Sequence, residues 1–207
     1  MDIARPLVLL LSVLLLGGCA TMDKSECRAA DWQTIGLEDG IEGRSVSYIG
    51  NHRKACAEYG IQPDLAQYQR GHATGIRQFC TPDNGFRQGR GGLRYADVCP
   101  AALRGAFLAG YETGRELYQI KADISQLQQQ ADRHKQELST LADNMNNVET
   151  LLVSGAISNN DRQSLLNQFK QQQSRQAILE AEIRSLELEA ARKQGEFDVL
   201  NASHGYY

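Results

Sequence analysis

The sequence predicts an all-α protein, with a small, disulfide-braced, glycine-rich helical head followed by a long antiparallel coiled-coil hairpin. After about residue 117, apolar residues recur at alternating intervals of three and four, which is typical of paired helices. The preceding part contains pairs of glycines four residues apart and all of the cysteines. We therefore expect a head at residues 27–116, a hairpin at residues 117–200 and a disordered tail at residues 201–207.

Residues 1–18 have the character of a lipoprotein signal peptide. Arg5 precedes the apolar run PLVLLLSVLLL, which is about half as long as the roughly 20 residues of a membrane-spanning helix. The run ends in Leu-Gly-Gly before Cys19, which resembles the bacterial lipobox, in which the cysteine is lipidated and begins the mature chain. We expect acyl chains such as palmitate on Cys19 to anchor the protein in a membrane, with residues 19–26 as a linker. An ordinary secretory signal that is cut nearby is the alternative.

The residue after the lipobox and the overall charge bear on where the protein acts. Ala20 occupies the sorting position and is not aspartate, so by resemblance to bacterial lipoproteins we expect the outer membrane, facing the periplasm, rather than the inner membrane. The formal net charge is -3, whereas nucleic acid requires clustered positive charge. We therefore expect no nucleic-acid partner.

Lipidation of Cys19 would leave Cys27, Cys56, Cys80 and Cys99. An even number of cysteines in an oxidising compartment predicts two disulfides. We favour Cys27–Cys56, which would tether the first helix to the second, and Cys80–Cys99, which would close a short loop. The other two pairings remain open. Zinc is a further alternative, but no two of these cysteines form a C-x-x-C pair, and we expect no metal site.

The predicted arm has two apolar seams, at residues 117–152 and 165–190, with the segment SGAISNND between them. Gly155 is expected to end the first helix, and Ser158 or Asn159 to cap the second. Because the break is short, the second helix must return antiparallel to the first. A parallel dimer of unbroken helices is the alternative, and the break argues against it.

Polar residues within the seams predict the register of the hairpin. If the chain folds at a tip of about residues 153–160, centred on residue 155, His134 lies near Gln176 and Gln172 lies near Leu138. We interpret these residues as a polar layer that fixes the register at some loss of stability. Metal binding or proton sensing by His134 is the alternative.

Three segments of the head and the start of the arm share a pair of glycines four residues apart, with an aromatic residue upstream. The pairs are Gly36/Gly40 after Trp32, Gly71/Gly75 after Tyr68, and Gly110/Gly114 after Phe107. Residues four apart share one face of a helix, where each glycine lowers helix stability by about 1 kcal/mol relative to alanine. We interpret the pairs as places where helices approach closely. The predicted helices are residues 31–42, 47–59, 63–79 and a long helix from about residue 100.

The segment between the last two cysteines, CTPDNGFRQGRGGLRYADVCP, is predicted to be a loop closed by a disulfide. Asn84-Gly85 and Gly91-Gly92 are turn formers that can adopt positive φ. The alternative is a binding site in which Arg87, Arg90 and Arg94 hold an anion such as a lipid phosphate or a glycan carboxylate.

The order and spacing of many residues in this half of the chain carry a resemblance. They are Asp31-Trp32, Gly36, Asp39-Gly40, Gly43, His52, Cys56-Ala57, Pro63-Asp64, Tyr68, Gly71, Gly75, Cys80, Pro82, Asn84-Gly85, Gly89, Gly92, Tyr95 and Val98-Cys99-Pro100. Over about residues 27–118 this set resembles the bacterial lipoprotein family that carries the domain of unknown function 2799. The resemblance implies that the cysteines and glycines serve the architecture. It leads us to expect arginine where this chain has His72, and it assigns no catalytic residue.

We expect no enzymatic activity, no catalytic residue and no cofactor, because the sequence contains no G-x-S-x-G or H-E-x-x-H motif. An acidic group lies near a segment that contains histidine. It comprises Asp31, Glu38, Asp39 and Glu42. We interpret Asp31 as a helix N-cap. A cell-wall hydrolase that uses paired carboxylates is the least favoured alternative.

The favoured hypothesis is a lipid-anchored periplasmic scaffold or adaptor that presents its coiled-coil arm to an envelope protein, whose identity the sequence does not indicate. The second hypothesis is a module that binds peptidoglycan or an anionic glycan. It would combine the three loop arginines with four aromatic residues, Trp32, Tyr48, Tyr59 and Tyr95.

Overall fold

The computed structural model describes residues 22–154 and 157–204, and these residues form helices and no strand. The helices are α1 (Lys24–Ala29), α2 (Trp32–Ile41), a 3₁₀ turn (Val46–Tyr48), α3 (Ile49–Ala57), α4 (Leu65–Phe79), α5 (Pro82–Arg90), α6 (Ala101–Val153) and α7 (Asn159–Ser203). The all-α prediction is confirmed. The expected signal segment 1–18, Cys19 and Gly155 lie outside the described residues. Within the described part of the chain, no helix combines the length and apolarity required to cross a membrane.

The chain forms two compact units. The first contains residues 22–81 and 95–106, and the second contains residues 82–94 and 107–204. The expected head, residues 27–116, therefore contributes to both units.

Side-chain caps start the helices of the first unit. Asp31 accepts hydrogen bonds from the backbone N–H groups of Gln33 and Thr34, so the predicted N-cap of α2 is confirmed. Asp64 caps α4 in the same way. Asp23 and Glu26 form a capping box at α1.

Helices α2 and α4 contact each other through bare backbone. Four glycines make this contact: Gly36, Gly40, Gly71 and Gly75. A Cβ atom on Gly71 would overlap the carbonyl oxygen of Gln33, and the other three glycines meet backbone at similarly short range. Gly36 faces Tyr68 and Gly40 faces His72, so the contact advances in the same direction along both helices. The two helices therefore run parallel and are joined by the connection at residues 42–64.

A second parallel pairing of the same kind joins α5 to the start of α6. Its four glycines are Gly85, Gly89, Gly110 and Gly114. Gly85 faces Phe107 and Gly89 faces Tyr111, with residues 91–100 as the connection. The prediction of a loop with a turn at Asn84-Gly85 was therefore wrong. Asn-Gly favours a turn locally, but burial of both α5 glycines against α6 stabilises a helix here.

The glycine that follows the first helix of each pairing has positive φ in both cases. Gly43 has φ of 73° and lies against the Phe79 ring, whereas Gly92 has φ of 72° and lies against the Tyr118 ring. The two pairings therefore agree in the turn after the first helix as well as in the contact between the helices. The chain therefore contains two copies of one parallel helix-pair motif.

The structure contains disulfides Cys27–Cys56 and Cys80–Cys99, which is the pairing favoured from the sequence. The first lies in a core cluster with Trp32, Ile49 and Tyr68. The second joins the residue after α4 to the residue that precedes Pro100. Each disulfide reduces the conformational freedom of the unfolded chain by an amount equivalent to about 3 kcal/mol.

Helices α6 and α7 pack as an antiparallel hairpin, as the sequence predicts. The predicted seam positions from Leu117 to Leu152 and from Leu165 to Ala190 are buried or half-buried. Ser158 caps α7 by accepting a hydrogen bond from the backbone N–H of Asp161, which confirms one of the two proposed caps.

The predicted register of the hairpin was wrong. His134 lies 3.0 Å from Glu182 rather than beside Gln176, and Lys193 forms an ion pair with Asp123 at 2.8 Å. The same shift separates Gln172 from Leu138. The reason is that α6 continues to Val153 and α7 begins only at Asn159, which moves the centre of the turn beyond residue 155.

Part of the expected disordered tail is helical. Helix α7 continues to Ser203, and the His204 ring stacks on Phe86 with a centroid distance of 6.2 Å. Residues 205–207 lie outside the described part. The tail prediction was therefore wrong for residues 201–204, because the apolar seam continues through Phe197 and Leu200.

Candidate functional site

Asp39 is a buried carboxylate, 2% exposed, with three side-chain partners. Its Oδ1 atom accepts a hydrogen bond from Arg44 at 2.8 Å. Its Oδ2 atom accepts a hydrogen bond from the Tyr68 hydroxyl at 2.7 Å and lies 2.8 Å from His52 Nε2. Tyr68 lies on α4, His52 on α3, and Arg44 in the connection between α2 and α4. We call these four residues the Asp39 cluster.

The charges of the cluster affect two of its pKa values. Burial raises the pKa of Tyr68 well above its usual value, and the hydrogen bond and negative charge of Asp39 raise it further. Burial alone would lower the pKa of Arg44, but the charge of Glu42 and the hydrogen bond to Asp39 raise it overall. Asp39 is therefore hydrogen-bonded to a neutral phenol and paired with a permanent cation.

Aromatic and backbone contacts surround the cluster. The guanidinium of Arg44 lies 4.5 Å from the centre of the Tyr48 ring, and Tyr48 meets His52 edge-on at 5.4 Å. His72, where the family resemblance leads us to expect arginine, is buried with Nε2 2.8 Å from the carbonyl oxygen of Arg44. Together these contacts fasten the connection at residues 42–64 to α2 and α4.

A surface depression of about 540 Å³ lies beside the cluster. Its charged and polar lining residues are Glu26, Glu38, Asp39, Glu42, Arg44 and His52. Glu42 forms an ion pair with Arg44, and Glu26 bonds the backbone N–H of Asp23, so two of the exposed carboxylates already serve local structure. The lining residues include no serine, threonine or cysteine that could act as a nucleophile beside His52.

The second helix pairing shows which parts of this arrangement the motif itself requires. From the matched glycine contacts, Tyr111 occupies the position of His72, and its hydroxyl donates to the carbonyl oxygen of Leu93 at 2.8 Å. The bond that closes the connection onto the second helix is therefore present in both copies. The equivalents of Asp39 and Tyr68 are Gln88 and Phe107, which form no such charged cluster. The Asp39 cluster thus accompanies the longer connection of the first pairing.

The structure places the three candidate anion-binding arginines in one unit, and all three side chains are exposed. Arg87 and Arg90 lie one turn apart on α5, and Arg94 lies in the connection that follows. Arg90 lies over the Phe86 ring at 5.8 Å, and Arg87 lies 3.4 Å from the side-chain oxygen of Asn84.

Of the four aromatic residues in the glycan-binding hypothesis, the structure buries one. Trp32 is buried in the core cluster, whereas Tyr59 is exposed. The Tyr95 hydroxyl accepts a hydrogen bond from the backbone N–H of Cys99. Trp32 is thus buried in packing and is not presented to a glycan.

The acidic group noted in the sequence also separates in the structure. Asp39 points inward, whereas Glu38 and Glu42 are exposed and Asp31 caps α2. The Asp39 cluster could not be read from the sequence, because its members lie far apart in the chain and come from separate elements. Its most distant hydrogen-bonded pair, Asp39 and Tyr68, is separated by 29 positions. The described residues include no group of three or more His, Cys, Asp or Glu side chains placed to hold a metal ion.

The hairpin presents a groove of about 530 Å³ along one side. Apolar and small residues form most of it: Ile124, Leu127, Ala131, Leu186, Ala190 and Ala191. Lys135 and Glu187 form an ion pair at 2.8 Å at its edge. The groove therefore combines a shallow apolar floor with a polar rim.

A family model described as "Protein of unknown function (DUF2799)" matches residues 31–116. The match includes the glycines of both helix pairings and three of the four disulfide cysteines, and it ends near the point where the hairpin seams begin. No curated protein and no solved structure gives a significant match to this chain. The resemblance drawn from the sequence motifs is confirmed over residues 31–116, where the DUF2799 family model matches this chain.

Proposed function

We propose that this protein is a lipid-anchored lipoprotein of the bacterial envelope that acts without enzymatic activity as a scaffold or adaptor. In this proposal Cys19 carries the lipid, the outer membrane is the anchoring membrane, and the α6–α7 hairpin faces the periplasm. The hairpin binds an envelope protein.

The observation that carries the proposal is the hairpin surface. Small residues, Ala131 and Ala190, line the groove, and an apolar floor with a charged rim suits a helical or extended partner segment. Ion pairs such as Lys193–Asp123 and Arg175–Glu137 connect the two helices across their exposed edges. A defined register gives the partner a fixed surface to recognise.

The test is affinity capture with and without residues 121–196. In the observed register, residues 120 and 197 lie close to opposite each other, so a short flexible linker can close the shortened hairpin. The shortened protein keeps the seam contacts outside residues 121–196, which lie nearest α5. It also keeps the stacking of His204 on Phe86. We expect partners captured by the full chain to be lost with the shortened one. Retention of every partner would exclude the hairpin as the binding element.

A second candidate function is binding of an anionic glycan or lipid headgroup, supported by the exposed arginines on and after α5. The triple substitution Arg87→Gln, Arg90→Gln, Arg94→Gln should then reduce sedimentation with purified peptidoglycan or with vesicles containing anionic lipid. Substitution of the exposed Arg184 to Gln on α7 is the matched control. Equal binding by the triple variant and the control would reject this candidate.

A further inference from the structure

Helix α1 begins close to the proposed membrane anchor. Its first residue, Lys24, is five positions after Cys19. A chain of five residues spans at most about 18 Å even when it is fully extended. If Cys19 carries the lipid, the start of α1 therefore stays within about two Debye lengths of the lipid headgroups at physiological ionic strength. The charges on α1 then influence which of its sides faces the bilayer.

The two sides of α1 carry opposite charges. Lys24 and Arg28 are four positions apart, so they share one side of the helix, and both are exposed. Glu26 is two positions from each of them and lies on the other side, where it lines the depression beside the Asp39 cluster. Among the residues that the structure describes, no carboxylate forms an ion pair with Lys24 or Arg28. Both cations are therefore available to an external anion.

A surface depression of about 650 Å³ lies on the basic side of α1. Its lining residues are Asp23, Lys24, Ser25, Arg28 and Tyr59. Tyr59 is 37% exposed and follows α3, which the Cys27–Cys56 disulfide joins to α1. An ammonium and a guanidinium bind phosphate oxygens, and a tyrosine ring suits the boundary between lipid headgroups and acyl chains. These groups together fit a phospholipid surface.

The acidic residues nearby do not cancel this positive charge. The Asp23 carboxylate accepts hydrogen bonds from the backbone N–H of Glu26 and from the Ser25 hydroxyl, so it already serves the cap of α1. Glu58 is two positions after Cys56 in helical geometry, so it points to the side of α3 opposite the disulfide. Two cations therefore line the depression against one carboxylate, and that carboxylate is already hydrogen-bonded.

We propose that the side of α1 formed by Lys24 and Arg28, together with Tyr59, contacts the phosphates of anionic phospholipids in the membrane that holds Cys19. This inference deepens the proposed function and rests on its lipid anchor. The acidic side of α1, with Glu26, then faces away from the bilayer. The lipid attaches the protein, and this surface gives the first unit one preferred orientation on the membrane.

The test replaces cellular lipidation by chemical coupling, so it does not depend on whether Cys19 is lipidated in cells. The Cys19 thiol of purified chain 19–207 is coupled to a maleimide phospholipid in vesicles, while the other four cysteines are held in disulfides. A water-soluble reagent then acetylates the lysines, and mass spectrometry measures the rate at each one. The vesicles contain either phosphatidylcholine alone or phosphatidylcholine with anionic phosphatidylglycerol.

We expect acetylation of Lys24 to be roughly threefold or more slower on the anionic vesicles than on the neutral ones. Two exposed lysines are controls: Lys54, which lies with Glu58 on the other side of α3, and Lys170 on α7. Both should react at similar rates on the two kinds of vesicle. Equal rates for Lys24 on both kinds would overturn the proposal. Slowing of Lys54 as large as that of Lys24 would also overturn it, because a general attraction to the anionic surface would then suffice.

A variant tests whether the second cation contributes. Arg28→Gln should remove about half or more of the protection of Lys24 on anionic vesicles. Arg70→Gln removes the same charge from an exposed position on α4 and should leave the protection unchanged. Equal effects of the two substitutions would contradict the proposed surface. Failure of palmitate labelling at Cys19 in cells would remove the anchor without altering these vesicle results, so the two failures are distinguishable.

A final arm distinguishes membrane phosphate from phosphate in solution. Soluble glycerol phosphate is added to the chain on neutral vesicles, and acetylation of Lys24 is measured again. We expect little protection, because the tether and the charged membrane surface bring many phosphates to α1 at once. Protection equal to that on anionic vesicles would overturn the assignment to a membrane.

Discussion

At the scale of single residues, the eight glycines of the two helix pairings determine how closely the helices approach. Each lowers the intrinsic stability of its helix by about 1 kcal/mol relative to alanine. The compensation is contact between backbones, with the flanking aromatic residues Tyr68 and Phe107 fully buried beside it. A side chain at these positions has no space to occupy.

Substitution Gly71→Ala should lower the free energy of unfolding by on the order of 3 kcal/mol or more, because the new Cβ would overlap the Gln33 carbonyl, which is backbone and cannot rotate away. Gly105→Ala is the matched control, since Gly105 lies within α6 with open space around it. We expect Gly105→Ala to raise stability by about 0.5–1 kcal/mol. Urea unfolding of both variants measures the difference, and similar effects at both sites would contradict the contact.

The raised pKa of Tyr68 predicts that the folded protein loses stability at alkaline pH. Burial and Asp39 raise the pKa of Tyr68 in the folded protein, whereas an unfolded tyrosine titrates near 10.0. The unfolded chain therefore loses this proton first. Consequently, the stabilisation is complete below pH 10.0 and is lost progressively as the pH rises above it. Tyr68→Phe should flatten this decline.

Urea unfolding midpoints at neutral pH and about pH 11 test this expectation. Tyr68→Phe should also lower stability at neutral pH by about 1–2 kcal/mol, because Asp39 loses one buried hydrogen-bond donor. Tyr59→Phe, at an exposed tyrosine, should keep the alkaline decline of the natural chain. An unchanged decline in Tyr68→Phe would show that other groups cause it.

The residue-scale features were only partly predictable from the sequence. Regular spacing revealed Gly36/Gly40, Gly71/Gly75 and Gly110/Gly114, because a helix converts spacing directly into a shared face. Gly85/Gly89 has the same spacing but was masked by Asn84-Gly85, whose local preference is a turn. The Asp39 cluster was not predictable, because its bonds depend on how three separate elements pack.

At the scale of elements, the apolar seams determine that α6 and α7 pair with each other. They do not determine the register of that pairing. Alternating intervals of three and four repeat along each helix, so sliding one helix by a heptad keeps apolar residues together. Helix ends select among these registers. The ends at Val153 and Asn159 could not be read from Gly155 alone, and the predicted partners of His134 and Gln172 were wrong for this reason.

Cysteine pairs distinguish the two registers. His134→Cys with Glu182→Cys should form a disulfide within one chain under mild oxidation, because the native side chains lie 3.0 Å apart across the helices. His134→Cys with Gln176→Cys corresponds to the register that the structure excludes and should remain reduced. The mobility of the unreduced chain on a denaturing gel measures both, and the reverse result would contradict the hairpin register.

At the scale of the whole molecule, one helix-pair motif occurs twice and a long hairpin continues from its second copy. The DUF2799 match includes both copies of the motif. The sequence predicts the fold class and the hairpin, because composition and periodicity carry that information, and it favours the observed disulfide pairing without excluding the other two. It does not reveal that the two pairings are equivalent, because their connections differ in length and their sequences share little beyond the glycines.

The proposed membrane anchor depends on one side chain. Cys19→Ala should abolish incorporation of radiolabelled palmitate and should release the protein from the membrane fraction. Ala20→Asp is the matched control, because it keeps the cysteine and should retain the label. If lipoprotein sorting follows the expected rule, Ala20→Asp should also move the protein to the inner membrane. Palmitate labelling of Cys19→Ala at the level of the natural chain would contradict the anchor.

The central claim is that the hairpin, rather than the segment that the DUF2799 model matches, contacts the partner. The most direct measurement is photo-cross-linking in cells from a reactive residue placed at Gln128 or Gln194 in the hairpin groove, compared with Tyr59 or Leu65 in the first unit. All four positions are exposed. We expect the hairpin positions to capture the same envelope protein repeatedly and the first-unit positions to capture none. Capture from Tyr59 or Leu65 alone would contradict the claim.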